Sequence, residues 1–523
     1  MAHERDEGVS VTQYILAHDV GTTGNKASLY DEEGTLVQSA FAPYPTAYRH
    51  PAWAEQDPRD WWGALCSSTQ QLLRQSRVSN RDVACIVFSG QMMGAVPIDA
   101  QGQATRDALI WADQRSVSQI DRVAERIDPR RVYALTGHRL SASYSAGKIL
   151  WLKDHERDAY DRTCKFVHAK DFLVARLTGV FATDPSDASG TNLFDLEAGA
   201  WSDELLEAFE ISRDKLPDIR LSTDVVGDVR LMVAEETGLA AGTPVVMGGG
   251  DGSCAATGAG VIRDGLAYNY IGSSSWIGVA TQRPILDPEM RTFTWAHLVP
   301  GLFTPTGTMQ AAGSSYQWAR DGLAATENIV AERLGMSAYE LMNQEVLQSP
   351  PGARGLLFLP YLLGERSPRW NPTARGAFVG LTIRHRTADL LRAVLEGITF
   401  NLRVILEAFS RQGARVEALR VIGGGARSAE WNGIMADIFG VPVLRLALLE
   451  EATSMGAAVA GGVGVGIWKD FSQVDAMVHV QSESRPDPKR HELYTELYGI
   501  FNDLYDILDR GSVFDRLAAT EER

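Results

Sequence analysis

Apolar positions along the chain switch between two periods, and the switches fall at glycines, prolines and short acidic runs. Residues 14–19 form a nearly continuous apolar run of strand type. Gly21-Thr22-Thr23-Gly24 turns it into a second run over residues 26–30, which ends at Asp31, Glu32, Glu33 and Gly34. This pattern predicts a hairpin with a glycine and threonine tip. Asp57 and Pro58 then supply an N-cap and a first helical residue. The apolar positions Trp61, Leu65, Leu72 and Leu73 follow at near-helical spacing, before an apolar strand over residues 84–88. Strands alternating with helices predict an α/β protein.

The pattern restarts in the middle of the chain. Residues 243–247 read as a strand, Gly248-Gly249-Gly250 as a tight turn that leaves room for a ligand, and Asp251 as the start of a short helix. Strand patterns over residues 266–271 and 276–280 flank Gly272-Ser273-Ser274-Ser275, a second hairpin with a small hydroxylic tip. Two similar halves follow from the repetition. Residues 387–412 carry apolar positions at helical spacing up to Gly413, predicting a long helix. Residues 419–422, Gly423-Gly424-Gly425, a helix to Phe439 with Gly440 beyond it, and a strand over 441–443 form another strand, turn and helix unit. Residues 493–508 predict a terminal amphipathic helix that packs on a partner, which would make a homodimer, or on the chain's own first domain.

Composition narrows the classes. With 523 residues, 45% hydrophobic and 22% charged, the chain is globular and long enough for two or three domains. Fifty basic against 66 acidic side chains give a net charge of -16 without a basic run, which excludes nucleic acid as a partner. Cys66, Cys85, Cys164 and Cys254 stand far apart, so neither a disulfide framework nor a zinc site is expected, and reduced thiols suit a cytoplasmic protein. The charged start lacks an apolar signal core, and the longest apolar stretch, 457–468, is short and broken by glycines. The expectation is a protein neither exported nor in the membrane.

Four groups of residues carry candidate chemistry. Asp19 at a strand end, followed by Thr22, Thr23 and Lys26, suits phosphate oxygens and a water-held Mg²⁺, or else is an ordinary capped hairpin. Gly272, Ser273 and Ser274 offer a second phosphate tip, or only a turn. Neither loop has the Walker spacing. Asp251 is placed to accept a proton from a substrate hydroxyl, or to cap its helix. Gly423, Gly424, Gly425 and Ala426 form a turn against which a flat ring or phosphate would sit. For a polyol, Gln91, Met92 and Met93 after a buried strand, with Trp111 and Asp113 near Arg115, combine hydroxyl-binding groups with an aromatic. In the alternative the methionines fill the core and Asp113 with Arg115 is a surface pair. The histidines show no metal spacing.

Together these segments resemble the FGGY carbohydrate kinases over roughly residues 13–505. The carriers are two signatures: Ser143, Tyr144, Ser145, Lys148, Trp151 and Asp154 in the first, and Gly376, Phe378, Gly380, Asp389 and Glu396 in the second. Within the family the xylulokinase branch is nearest, through residues 53–57, 89–92, 359–368 and 423–428. The resemblance implies two actin-like, ribonuclease H-like domains, 13–258 on the sugar side and 259–505 on the nucleotide side. It also implies tails at 1–12 and 506–523 and an active-site cleft between the domains. It makes Asp251 the catalytic base and puts Asp19 at Mg²⁺. Thr22, Thr23, Lys26, Gly272, Ser273 and Ser274 are expected on the phosphates, Gly423 to Ala426 on the adenine side, and Gly313 at the ribose of ATP. The implied activity is ATP-dependent phosphorylation of a sugar, D-xylulose first, with ribulose or erythritol-like polyols as alternatives. A sugar-independent actin-like ATPase is the rival from another class. Met93 and Gly252 depart from the His and Asn usual beside the sugar in xylulokinases, which puts the sugar's identity in question.

Overall fold

The structure, a computed structural model, describes residues 12–447 and 450–521. The chain divides into two compact units. Of the described residues, the first holds 12–260, 295–301 and 451–477, and the second holds 261–294, 302–447, 450 and 478–521.

The first unit is built on a six-stranded sheet. β1 (Tyr14–Val20), β2 (Gly24–Tyr30) and β3 (Leu36–Pro43) form an antiparallel meander, and β1 also pairs in parallel with β4 (Val83–Gly90). β5 (Val225–Asp228) lies antiparallel at the far edge, and β6 (Pro244–Gly250) runs parallel to β4, giving the order β5-β6-β4-β1-β2-β3. The expected first hairpin is present, with its tip at residues 21–23. The helix α1 (Pro58–Ser76) has the expected N-cap: Asp57 accepts a hydrogen bond from the Arg59 amide, with Pro58 in the first turn. Its buried Trp61, Leu65 and Leu72 join Leu16, Leu29, Ile86 and Phe88 in the first core.

The second unit repeats the plan. The strands Ala267–Ile271, Ser275–Val279 and Phe303–Met309 form its antiparallel meander, Leu419–Ile422 and Val443–Leu446 run parallel to the first of these, and Val480–Ser484 closes the far edge antiparallel. Phe293–Ala296 extends the meander edge to make seven strands. Both units are therefore the mixed α/β sheets expected, with one shared strand order. The long helix Thr387–Arg411 crosses the second core, where Leu391, Leu395, Ile398, Leu402 and Phe409 are buried, and Gly413 follows it at φ 90°.

Four features differ from the sequence reading. Gly248 to Gly250 belong to the buried end of β6 rather than to an open turn, because neighbouring groups pack where their side chains would be. The helix Ala452–Gly464 groups with the first unit, not with a contiguous 259–505 domain. A Cβ at Gly258 would lie 1.8 Å from the Ala452 carbonyl oxygen and one at Gly456 1.9 Å from that of Cys254, so glycines let the two helix backbones touch. The terminal helix Pro488–Arg510 buries Tyr494, Leu497, Phe501 and Tyr505 in the second unit's own core rather than in the first domain. Residues 506–521, expected as a tail, complete that helix and add Val513–Glu521, with Phe514 buried in the same core. Of the expected tail 1–12, all but residue 12 lies outside the described residues. Among the described residues no helix is long and apolar enough to cross a membrane.

Candidate functional site

Asp251 opens α2 (Asp251–Gly258) directly after β6. Gly250, extended at φ -65° and ψ 149°, is the N-cap, so the carboxylate of Asp251 is not spent on capping. It is partly exposed. Burial of the carboxylate, then repulsion from Asp19 and Asp187, pushes its pKa up to about 7. A carboxylate at that value is poised to take a proton near neutral pH.

Asp19 lies one residue from the end of β1 and is also partly exposed. Ser89 on β4 donates to its Oδ1 at 2.9 Å and Thr453 donates to Oδ2 at 2.8 Å. Burial still raises its pKa, against the pull of those two hydroxyls and of Lys26. Two raised carboxylates on one wall mark a place short of positive charge, and hard oxygen donors of this kind suit a divalent cation.

Beside Asp19, the β1–β2 tip leaves Thr23 exposed, and Thr22 Oγ1 accepts from Trp111 Nε1 at 2.9 Å. Gly24 is required for close approach, since a Cβ there would lie 2.3 Å from the Phe41 ring. Lys26 Nζ pairs with Glu451 Oε1 at 3.1 Å. Gln56 ties the tip down: its amide donates to the Thr22 carbonyl at 2.7 Å and its Oε1 accepts from Gln91 Nε2 at 2.8 Å.

Of the expected sugar-side residues, Gln91, Met92, Met93 and Gly252 gather near β6. Met92 packs where side chains at Gly250 would be, and a Cβ on Gly252 would meet Met92 Sδ at 3.8 Å, an ordinary contact. Met93 holds a left-handed backbone, φ 62°, and its carbonyl accepts from buried Lys148 Nζ at 2.9 Å. The signature lysine is thus a staple, bonded also to the Ser143 carbonyl. A Cβ at Gly190 would sit 3.1 Å from the Trp295 ring and 3.3 Å from Met93 Cγ, which brings Trp295 and Met93 to one spot. Trp295 packs edge-on to His138 at 4.3 Å.

Asp113 is different from both sequence readings. It is 0% exposed, and its oxygens accept from Arg115 Nε and Nη2 and from the Ala54 amide. Arg115 also pairs with Glu55 at 3.0 Å and stacks on Trp53 at 3.8 Å. The pair is buried and structural, neither a surface pair nor open to a sugar. Trp111 is exposed beside the β1–β2 tip.

In the second unit a cavity of about 570 Å³ opens between the Gly272 tip, the glycine turn after the strand Leu419–Ile422, and two helices, Gly313–Gly322 and Ala338–Gln348. Gly272, Ser273, Gly313, Gly424 and Gly425 line it together. Gly313 donates its amide to the Gly272 carbonyl at 3.0 Å, and a Cβ there would lie 2.3 Å from that oxygen. Gly423 adopts φ 86°. Ala426 is fully buried, and Ser274, Gly423 and Ala426 are not among the lining residues. Sequence reasoning missed Tyr316, Tyr339 and Asn343 here: the two rings stack at 5.6 Å and Tyr316 donates to Asn343 at 3.0 Å. It also missed Thr453, Trp295 and His138, for which no local motif gives a signal, and it assigned Ser89, which stands in the family motif 89–92, no role at Asp19.

The two units are built on separate mixed sheets of one strand plan, the first bearing the paired carboxylates and the second the cavity. The profile of the FGGY family of carbohydrate kinases matches through its N-terminal domain over residues 14–258 and its C-terminal domain over residues 267–465, and the chain belongs to that family. It is a sugar kinase that uses ATP and transfers phosphate to a hydroxyl. A protein named xylulose kinase from Staphylococcus epidermidis is 33% identical over 496 residues, covering 95% of this chain and 97% of its own. A gluconokinase from Bacillus subtilis is 30% identical over 504 residues, covering 95% and 97%. Among solved structures, xylulose kinase from Rhodospirillum rubrum superposes with a TM-score of 0.88 at 29% identity, covering 96% of this chain and 100% of its own.

Proposed function

We propose that the chain phosphorylates D-xylulose at its terminal hydroxyl, giving D-xylulose 5-phosphate and ADP. The observation that carries the assignment of chemistry is Asp251: a partly exposed carboxylate, free of capping duty, held near a pKa of about 7 beside Asp19. The naming of relatives over nearly the whole chain supports the sugar.

In this reading the sugar oxygen attacks the γ-phosphorus as its proton passes to Asp251, and the bond from that phosphorus to the bridging oxygen breaks, leaving the electron pair on ADP. Thr22, Thr23 and Lys26 on the first unit and Gly272, Ser273 and Ser274 on the second are assigned the phosphates. Gly313, with Gly424 and Gly425 of the glycine turn and the Tyr316 side of the cavity, is assigned the nucleoside. Gln91, Met92, Met93 and Gly252 are assigned the sugar. Asp19, hydrogen-bonded and still short of positive charge, would hold Mg²⁺, which supplies charge neutralisation of the transferring group.

A second reading has one observation in its favour. It takes gluconate as the acceptor, and rests on a 30% identical relative named gluconokinase. Coupled ADP release with Mg-ATP, run over D-xylulose, D-ribulose, gluconate and erythritol with a no-sugar control, separates the two. D-xylulose is expected to give the highest kcat/KM. A tenfold preference for another member would replace it, and ADP release independent of sugar would remove the kinase assignment of Asp251.

A further inference from the structure

β6 ends in a broken ladder. Its pairing with β5 runs from Pro244 to Val246, and its register with β4 shifts between Val246 and Gly249. Across that interruption the Met247 amide donates to the Asp224 carbonyl at 3.0 Å and the Gly248 amide to that of Ser222 at 2.9 Å, and pairing with β4 resumes at Gly249 and Gly250. The last amide before Asp251, that of Gly250, donates to a side chain, Ser186 Oγ, at 2.8 Å.

Ser186 belongs to the short helix Pro185–Ser189 and is anchored behind by charge. Its hydroxyl donates to Asp184 Oδ2, while Asp184 Oδ1 pairs with Lys170 Nζ at 2.9 Å. Lys170 also pairs with Asp171 at 2.6 Å and Asp187 at 3.2 Å. Ser186, Asp184 and Lys170 are at most 1% exposed. One ammonium shared by three buried carboxyl groups, with the His168 ring also 3.4 Å from Asp171, is an expensive arrangement if stability alone is at stake. The strand end is shaped to receive it: a Cβ on Gly249 would lie 2.8 Å from Ser186 Oγ and 3.2 Å from Asp184 Oδ2.

From this geometry we propose that Ser186, braced by Asp184 and Lys170, is a positioning residue that fixes the Gly250 peptide and thereby aims Asp251 at the substrate hydroxyl. The proposal rests on Asp251 being the base. Ser186 touches no substrate in this role. Its loss acts on the rate of the chemical step, because a misaimed base weakens the transition state more than it weakens sugar binding.

The test is steady-state kinetics of Ser186→Ala, Ser186→Thr and Asp251→Asn on the best sugar of the panel above, with folded fraction from circular dichroism and sugar affinity from isothermal titration. Ser186→Ala is expected to lower kcat by about 10 to 100-fold while KM and the sugar Kd stay within about threefold. Ser186→Thr, which keeps the accepting hydroxyl, is expected to recover kcat to within about threefold of the parent. Ser186→Ala with kcat within twofold of the parent overturns the proposal, and so does a threonine variant as slow as the alanine one. Should Ser186→Ala fail to fold, Ser186→Cys, which fills similar space but accepts weakly, is read by the same kcat against KM split. Asp251→Asn at parental activity would instead remove the assigned base, a separate failure visible in its own arm.

Discussion

Thr453 donates its hydroxyl hydrogen to Asp19 Oδ2 at 2.8 Å, joining two residues 434 positions apart in the chain. The bond belongs to the turn that also brings Glu451 to Lys26, so the start of the helix Ala452–Gly464 finishes the charge pattern around the first hairpin tip. A hydrogen bond to a charged group contributes about 1.5–3 kcal/mol. Thr453→Val should therefore disfavour ionised Asp19, and the Mg²⁺ concentration for half-maximal activity should rise about 3 to 10-fold at pH 7. Thr453→Ser should restore it. A magnesium titration of activity in the three proteins measures this, and an unchanged midpoint in the valine variant would detach Asp19 from the metal.

Asp251 sets a pH dependence whose sign follows from its raised pKa of about 7. The base must be ionised to act, so kcat/KM should fall about tenfold per pH unit below that value and level off above it. Asp251→Asn should lower kcat by about 10² to 10⁴ and flatten this limb. Stability runs the other way. A carboxylate whose folded pKa exceeds its unfolded value binds more protons when folded, so its contribution is lost as pH rises from the unfolded value through about 7. At pH 8, Asp251→Asn should melt about 1–3 °C higher than the parent, a gain bought with activity. Thermal melts at pH 5 and pH 8 check the sign.

Asp113 lends itself to a different outcome. Removing it leaves the Arg115 guanidinium, 1% exposed, with Glu55 and the faces of Trp53 and Trp151 as partners. Breaking a buried pair by deleting one member costs roughly 3 to 5 kcal/mol. Asp113→Ala should lose that much stability in denaturant titrations, while the surviving folded enzyme keeps its KM for sugar within about threefold. A large selective rise in sugar KM with normal stability would return Asp113 to the sugar.

Gly313→Ala tests the cavity of the second unit. Its Cβ would lie 2.3 Å from the Gly272 carbonyl oxygen, a backbone atom that can yield only by displacing the hairpin tip. The KM for ATP should rise by about fivefold or more with little change in the KM for sugar, as expected when overpacking shifts one binding wall. Equal effects on both substrates would show that the tip serves more than the nucleotide.

The sequence by itself determined the elements whose causes are local. Asp57 and Pro58 start α1, the tips after β1 and before Ser275 turn where glycine and small hydroxylic residues relieve the backbone, and Gly413 and Gly440 follow helices at φ 90° and 73°. Capping, turn chemistry and apolar period act over a few residues, so they are legible without a partner. The glycine-rich segments and Asp251 were legible as chemistry, and the signatures as family.

Only the tertiary structure decided what each polar group faces. Asp113 and Arg115 read as a pair, but burial turned them inward through Ala54 and Glu55, 59 and 60 positions from Asp113 and Arg115 respectively, by subtraction of their numbers. Gly248 to Gly250 read as an open turn, and the space their missing side chains leave is filled by Ser186, Leu298 and Met92. The helix Ala452–Gly464 has an apolar pattern that states burial without saying against what, and backbone contact at Gly258 and Gly456 settles it. Lys170 and Thr453 carry no motif at all. Their importance comes from carboxylates brought near by the fold, and the energy of a charge depends on its neighbours and its access to water, neither of which is written in the order of residues.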